Sequence, residues 1–441
     1  MKHKFLIILL FPSLLFAQET LKFNLQEAIN YANENSYVIL NANDDIAAAN
    51  KKVWETTTMG LPQINASVSY QNFIKQPIQL IPAEFFGGNA GDFAEVSFGT
   101  KQNMDATATL TQLLFDGSYL VGLQSAKVYL KISESIKDKT LIGIKEAVTN
   151  GYAGVLMSQE AILILNRNLA ILEKNVADTK EIVKNGFAEE QDAEQLQLTL
   201  YQVKNELRNM QRLEKSNIDM LKYVMGIDIE EKISLTQTLH DITSDYTTLA
   251  LDATNFDHTH TIDYQMAENN TQANELFVKL EQSKAMPSLS AFFNYGIAAY
   301  GEEFQFFSKD QKWFDNSLFG VSLNVPIFSS LKRSSRIQQA QIGLQKAERD
   351  LIETSQKLKL AHQTALINYQ NATESYQTSK ESLALAERIE KKESIKFFEG
   401  ISSSFELSTA QNQLYSQQQN YLQAIFDLIS KKVALETVLN K

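Results

Sequence analysis

Cysteine is absent from all 441 residues, which removes disulfides, thiolate nucleophiles, cysteine-ligated metals and cysteine-linked lipid from consideration. Stability must come from packing alone. Proline is nearly as scarce, with six residues, none of them between Pro82 and Pro287 or after Pro326. Those tracts lack the residue that breaks helices. Residues 118–184 and 331–398 can therefore each be one helix of about 65 residues, roughly 100 Å at 1.5 Å per residue. Basic charge is also in deficit, 41 Lys and Arg against 52 Asp and Glu, which argues against nucleic acid as a partner. Beyond the N-terminus no stretch reads as an apolar spanning helix, so a membrane role requires a closed β-barrel.

What is present begins with "MKHKFLIILLFPSLLFAQE", which pairs Lys2 and Lys4 with an apolar run from Phe5 to Phe16 and a small residue at Ala17. This pattern predicts a signal peptide over residues 1–17, cut near Ala17–Gln18. The competing reading is an anchor helix, for which the run falls short of the roughly 20 residues that span a bilayer. Removing the peptide leaves 39 basic residues against 52 acidic ones, a net charge of −13.

The remaining chain is written twice. Leu61-Pro62 matches Met286-Pro287 at an offset of 225, and "LTQLLFDGS" (110–118) matches "LNVPIFSSL" (323–331) at 213. "NGFAEEQDAEQLQLTLY" (185–201) matches "EGISSSFELSTAQNQLY" (399–415) at 214. The order implies a first structural repeat over 18–226, a polar insertion over 227–262 with a weaker counterpart at the C-terminus, and a second repeat over 263–441. Each repeat reads helix, strand, strand, long helix, turn, long helix. The first helix opens at Asn24, with Glu27 three residues on as a capping-box partner.

Heptads run through the long helices. Leu407, Leu414, Tyr421, Leu428 and Leu435 form one seam, with Ala410, Ala424 and Val438 three positions on. The first repeat has Ala193, Leu200, Leu207 and Leu221 in equivalent places, broken at Glu214. A third seam narrows from Ile337, Leu344, Leu351 and Leu358 to Ala365, Ala372, Ser379 and Ala386. Gly186 and Gly400 fall where the helices must reverse and where positive φ is needed.

Four strands are expected over 63–74, 104–115, 288–299 and 316–327, each alternating apolar and polar residues and each long enough to cross an outer membrane at a tilt. Half-buried strands of soluble sandwiches alternate in the same way. The loops within each pair, 75–103 and 300–315, are long and rich in Phe, Gly and acid, as outer barrel loops are. Four strands cannot close a barrel and lipid forbids an open edge, so several copies must share one.

The stretch "FNLQEAINYANENSYVILNANDDIAAA", the "LPQI" and "MPSL" strand openings, "VPIF" and "GISSSFELSTAQNQLY" together resemble the TolC family of outer membrane efflux proteins. The resemblance covers essentially the whole mature chain. It implies a mainly α fold with transmembrane β: a homotrimer whose 12-stranded β-barrel, four strands per chain, lies in the outer membrane and continues into a long periplasmic α-helical coiled-coil barrel. It also implies an exit duct for tripartite efflux or type I secretion. The implied partners are a periplasmic adaptor (membrane fusion protein), an inner membrane pump of RND or ABC type and outer membrane lipid, with no cofactor and no nucleic acid. On this reading Pro62, Pro287 and Pro326 mark helix-to-barrel junctions.

By the same resemblance Glu406 stands where the family has a ring aspartate, and Thr409 where a second often sits. Phe397 takes the place of a gate tyrosine and Ser402 that of a gate arginine, so neither repeats the charged gate contacts. Asp192 is the first-repeat equivalent of Glu406. Glu189, Glu190 and the Lys391, Lys392 and Lys396 cluster are further candidates for holding a closed state. Adaptors are expected to grip grooves beside Gly186 and Gly400.

Asp257, His258, His260 and Asp263, with His240 nearby, invite a metal reading, but no ligand spacing supports it. No nucleophile, base and orienting group stand at motif spacing, so no catalytic role is assigned. The readings from other classes are a periplasmic coiled-coil scaffold or adaptor without a barrel, and an outer membrane enzyme.

Overall fold

The computed structural model describes residues 20–248 and 256–440. The expected signal peptide and part of the insertion lie outside those residues. In chain order the elements are β1 (Leu21–Phe23), α1 (Leu25–Asn35), α2 (Tyr37–Thr58), β2 (Gln63–Asn72), β3 (Ile78–Pro82), β4 (Phe93–Ser97), β5 (Gln102–Asp116), α3 (Gly117–Lys184) and α4 (Glu190–Met225). Then follow β6 (Ile233–Leu235), α5 (Leu239–Thr248), α6 (Ile262–Ser283), β7 (Ser288–Gly301), β8 (Phe314–Asn324), α7 (Lys332–Phe398) and α8 (Ser404–Val438). Two compact units result, each drawing on both repeats. One comprises residues up to Asp45, Glu134–Met266 and Ile352 onward; the other comprises Ile46–Ser133 and Ala267–Leu351.

The second unit is built on one antiparallel sheet in the order β2-β5-β7-β8. Its register sorts the alternating residues onto two unlike faces. Ile64, Leu110, Phe293 and Phe319 stand in one cross-strand row, and Ala291 pairs Val321 and Leu289 pairs Leu323 on the same face. Ser67, Thr107, Gly296 and Asn316 form a row on the other. Ile64, Val68, Phe293, Phe319, Val321 and Leu323 are all exposed. Phe292 is an exception on the polar face, where it lies over Gly320: a Cβ there would come within 2.4 Å of its ring. At one end of the apolar face Tyr70, Phe304 and Phe306 meet edge to face, centroids 5.4 to 5.9 Å apart, and Phe306 is only 2% exposed, against Met104 and Ala299.

Several boundaries differ from the sequence reading. β2 stops at Asn72, and β8 ends at Asn324, because Pro326 cannot donate to a ladder. The loop 75–103 contains its own hairpin, β3 with β4. β5 carries a register shift between Leu113 and Phe115. The first helix is two: Ser36 turns extended at φ −63°, ψ 140° and separates α1 from α2. The insertion, expected to be irregular, holds β6 and α5, and among the described residues α8 runs on to Val438.

The first unit is helical around two apolar clusters, a smaller one of Leu172, Val176, Leu196, Leu200, Val203 and Leu407 and a larger one. Phe23, Ile29 and Ile39 meet Val148, Val155 and Leu156 of α3, Leu221 and Met225 of α4, Ile242 of α5, and Leu422, Ile425 and Ile429 of α8. The α8 seam lies as its heptads require, with Leu407, Leu428 and Leu435 fully buried, whereas Glu214 interrupts the α4 row at a half-buried site. Asn24 and Glu27 form the expected capping box, each backbone N–H to side-chain bond being 2.8 Å. β1 pairs in parallel with β6, and the buried Tyr152 hydroxyl donates to the Phe23 carbonyl at 3.0 Å. One window of α3 is long and apolar enough to cross a membrane, contrary to the expectation that no later stretch would be. Val148, Tyr152, Val155 and Leu156 of that helix lie in this core.

Three left-handed glycines separate backbone strain from crowding. Gly186, Gly226 and Gly400 have φ of 77°, 77° and 73°. A Cβ on Gly186 or Gly400 meets nothing within 4 Å, but on Gly226 it falls 2.3 Å from the Asn35 carbonyl oxygen. Gly186→Ala and Gly400→Ala should each cost about 1–2 kcal/mol, the left-handed penalty alone. Gly226→Ala should cost more and should loosen the α1–α2 break, read as faster amide exchange at Ser36–Leu40; equal costs at the three sites would refute this.

Candidate functional site: the two helical reversals

Both reversals are built alike. After α3, the Gly186 N–H reaches the Val183 carbonyl at 2.9 Å and the Phe187 N–H the Ile182 carbonyl at 3.1 Å. After α7, the Gly400 N–H reaches Phe397 at 3.0 Å and the Ile401 N–H reaches Lys396 at 2.9 Å. This is a Schellman ending at each tip. Three residues beyond each glycine a capping box opens the next helix, at Glu189 with Asp192 and at Ser403 with Glu406. The Glu189 N–H donates to Asp192 at 3.2 Å, and the Ser403 N–H to Glu406 at 2.9 Å.

The second reversal adds charge. Glu406 Oε2 also accepts from the Ser403 and Ser402 hydroxyls, at 3.0 and 2.9 Å. The Ser402 hydroxyl lies against Glu393 as well, and Lys396 Nζ pairs with Glu393 at 3.0 Å. Hydrogen bonding from the Ser403 backbone, and then from the Ser402 and Ser403 hydroxyls, holds the exposed Glu406 carboxyl below its ordinary range. Ser402, then Lys396, does the same for Glu393. Two carboxylates, two hydroxyls and one ammonium thus share one turn.

Of the sequence-predicted residues, only Glu406, Ser402 and Lys396 enter this cluster. Asp192 lies at the other reversal. Thr409 is exposed and donates to the Phe405 carbonyl at 2.8 Å. Phe397 is half-buried against Leu172, Leu196 and Leu407, edge-on to Phe398 at 5.3 Å. Glu189 occupies the N-cap position of α4 through its backbone, its N–H bonded to Asp192, and Lys391 and Lys392 are exposed. Glu393 went unrecognised, although its i,i+3 spacing from Lys396 was readable. Pro62 and Pro287 each stand immediately before a strand, and Pro326 stands just beyond one. In the insertion, Asp257 caps a short turn through the Thr259 N–H at 2.9 Å and approaches His260 at 3.0 Å, while Asp263 pairs with Lys139. No group of three or more metal-ligating residues occurs among the described residues.

Between the tips and the larger core, polar groups are interleaved with the smaller apolar cluster of Leu172, Val176, Leu196, Leu200, Val203 and Leu407. The Thr199 and Ser408 hydroxyls meet at 3.1 Å, and Asn168 donates to Gln418 at 2.7 Å. Asn175 Nδ2 and Thr179 Oγ1 are buried without hydrogen-bond partners. Burial pushes the Glu390 carboxyl up, and burial together with the Glu390 charge pushes the Tyr415 phenol up. A groove of about 630 Å³ is bordered by Lys180 of α3 and by Glu190, Glu194, Leu198 and Tyr201 of α4.

The carboxyls impose opposite pH dependences. Glu406 and Glu393, depressed when folded, contribute stability that is present above the ordinary glutamate pKa of about 4.3 and lost as pH falls through their lowered values. Glu390, raised when folded, favours the fold while protonated and opposes it as pH rises through its shifted value. Amide protection at Ser404–Leu407 should therefore collapse in acid. Glu390→Gln should raise tip protection at neutral pH, and a fall in protection would overturn the burial account.

Residues 261–441 match the model of the outer membrane efflux protein family. No curated protein sequence matches the chain. Among solved structures, the chain is similar to the outer membrane protein VceC of Vibrio cholerae, with a TM-score of 0.73 at 15% identity over 94% of this chain and 96% of that one. The outer membrane channel CmeC of Campylobacter jejuni gives 0.74 at 14% identity over 95% and 85%. The MtrE outer membrane channel of Neisseria gonorrhoeae, solved in its open state, gives 0.72 at 16% identity over 95% and 89%. The second repeat thus matches the outer membrane efflux protein family, and the whole chain, with its duplicated strand pairs and twin capped reversals, has the fold of these outer membrane channels.

Proposed function

We propose that three copies of this chain form an outer membrane exit duct, receiving substrate from a periplasmic adaptor and an inner membrane pump of RND or ABC type. The observation that carries this is the four-stranded sheet, apolar on one face, polar on the other and open at both edges. Lipid accepts the first face and water the second, but hydrocarbon cannot satisfy the edge groups of β2 and β8. Strand directions alternate along the sheet, so β8 of one copy meets β2 of the next antiparallel, and three copies close twelve strands. The scaffold reading has no use for exposed Val321, Leu323 and Phe319 in one plane.

On this reading the reversals line the periplasmic end, and the groove bordered by Tyr201 and Leu198 is where an adaptor grips. Three copies of Glu406 form a carboxylate ring favouring cations, with Thr409 and Asp192 nearby. Ser402 and Glu393 replace the family's gate contacts. No catalytic role is assigned.

Val321→Arg and Leu323→Arg should impair membrane assembly by roughly 2–4 kcal/mol, while Ser322→Arg stays hydrated and mild. Equal effects, scored as heat-resistant trimer in outer membrane fractions, would mean that the faces are misassigned. Glu406→Gln should lower cation preference in single-channel recordings of reconstituted protein, whereas Glu374→Gln, on an exposed part of α7, should not. Unchanged selectivity in Glu406→Gln would remove the ring and leave Glu406 a cap.

A further inference from the structure

The two sheet edges end in unlike exposed groups at the same end of the sheet. β2 starts at Gln63 opposite Thr111, and β8 ends at Asn324 opposite Ser288, which itself faces Asp116. Both lie where β5 runs into α3. Beyond the β2 edge Trp54, Met59 and Leu61 are exposed; beyond the β8 edge Ile327, Phe328 and Leu331 are 88%, 83% and 75% exposed.

The loop after β8 is held rigidly in an unfavourable backbone. Ser330 and Leu331, neither of them glycine, have φ of 49° and 66°, a conformation costing roughly 1–2 kcal/mol per residue. Arg333 clamps it, Nη1 donating to the Pro326 carbonyl at 2.8 Å, Nη2 to the Ile327 carbonyl at 3.1 Å and Nε to Ser329 Oγ at 3.1 Å. A lipid anchor needs no such fixed backbone. A partner surface does.

The duplication identifies the partner. Within the chain, the end of the first repeat's second strand packs against the start of the strand beside it: Gly117 approaches Met286, where a Cβ would lie 2.6 Å from the sulfur, and Phe115 stands opposite Leu289. By the repeat offsets, Gly117 and Phe115 correspond to Ser330 and Phe328, while Met286 and Leu289 correspond to Leu61 and Ile64. The first contact is filled inside the chain. The second has both halves present and exposed, on opposite edges of one sheet. We propose that the Arg333-clamped loop of one copy seats Ser330 against Leu61 and Phe328 against Ile64 of the next copy, repeating between chains the contact that the first repeat makes within one. This rests on the trimer reading and adds to it a docking pair, with Arg333 as its positioning residue.

The chain's lack of cysteine makes the test direct. Leu61→Cys/Ser330→Cys in full-length protein, extracted in detergent and oxidised, should give covalent trimer on a non-reducing gel. Neither single variant should, nor should Val68→Cys/Ser330→Cys, displaced along β2. Arg333→Gln added to the productive pair should reduce the covalent trimer severalfold while the mass in detergent stays trimeric. A trimeric mass with no disulfide between positions 61 and 330 overturns the docking pair and leaves the trimer standing. So does labelling of the thiol introduced by Ser330→Cys with a lipid-soluble maleimide in place of cross-linking. A monomeric mass overturns both.

Discussion

The main-chain groups along the outer sides of β2 and β8 are the constraint on which the rest depends. In water an unpaired strand edge is a liability; in hydrocarbon it is untenable. The polar and apolar faces of the sheet tell each residue which solvent to meet, but they do not close the ladder. On the proposed reading closure comes from identical copies, which is how a chain with only four membrane-length strands can line a barrel. The exposure of Phe319 and Val321 is a matter of the face, which on the same reading meets lipid.

The helical unit is unevenly stabilised. Around Val148, Leu221 and Ile429 the core is almost wholly apolar, each fully buried aliphatic side chain contributing roughly 1.5–3 kcal/mol. Toward the reversals the smaller cluster of Leu172, Leu196, Leu200 and Leu407 is interleaved with Asn175 and Thr179, and a buried polar group without a partner costs about 1–3 kcal/mol. Each such group lowers the free energy of local opening on the tip side of the larger core. Small residues along α7, with Ala372 and Ala386 buried, bring helices close without adding apolar area.

Much of this was legible in the residues. Alternation, heptads and duplication located the four long strands and four long helices, and the pairing of Ser322 against Val321 and Leu323 survives in the observed register. What was not legible depended on contacts distant in sequence. The break at Ser36 faces the crowding of Gly226 against Asn35, nearly two hundred residues away, and α5 is helical where it packs on α8 through Ile242. The hairpin of β3 and β4 was obscured by Pro77, Pro82 and four glycines between Gly87 and Gly99. At the tips, glycine and Ser403-x-x-Glu406 announced the turn, but Ser402 between two carboxylates is a consequence of three-dimensional closure. Reading Glu406 by family position alone concealed its bond to its own helix start.

The helical core also sets the order in which the molecule can form. Its members run from Phe23 to Val433, so its first and last contributions lie at nearly opposite ends of the chain. Hairpins such as α3 with α4 are local and fast to close, but the core that unites them waits for α8. Until then Leu221, Tyr152 and Ile39 stand without their full cover, a transient exposure that favours misassociation. A chain whose two repeats are written in tandem therefore cannot fold in tandem: the first repeat is completed by the second.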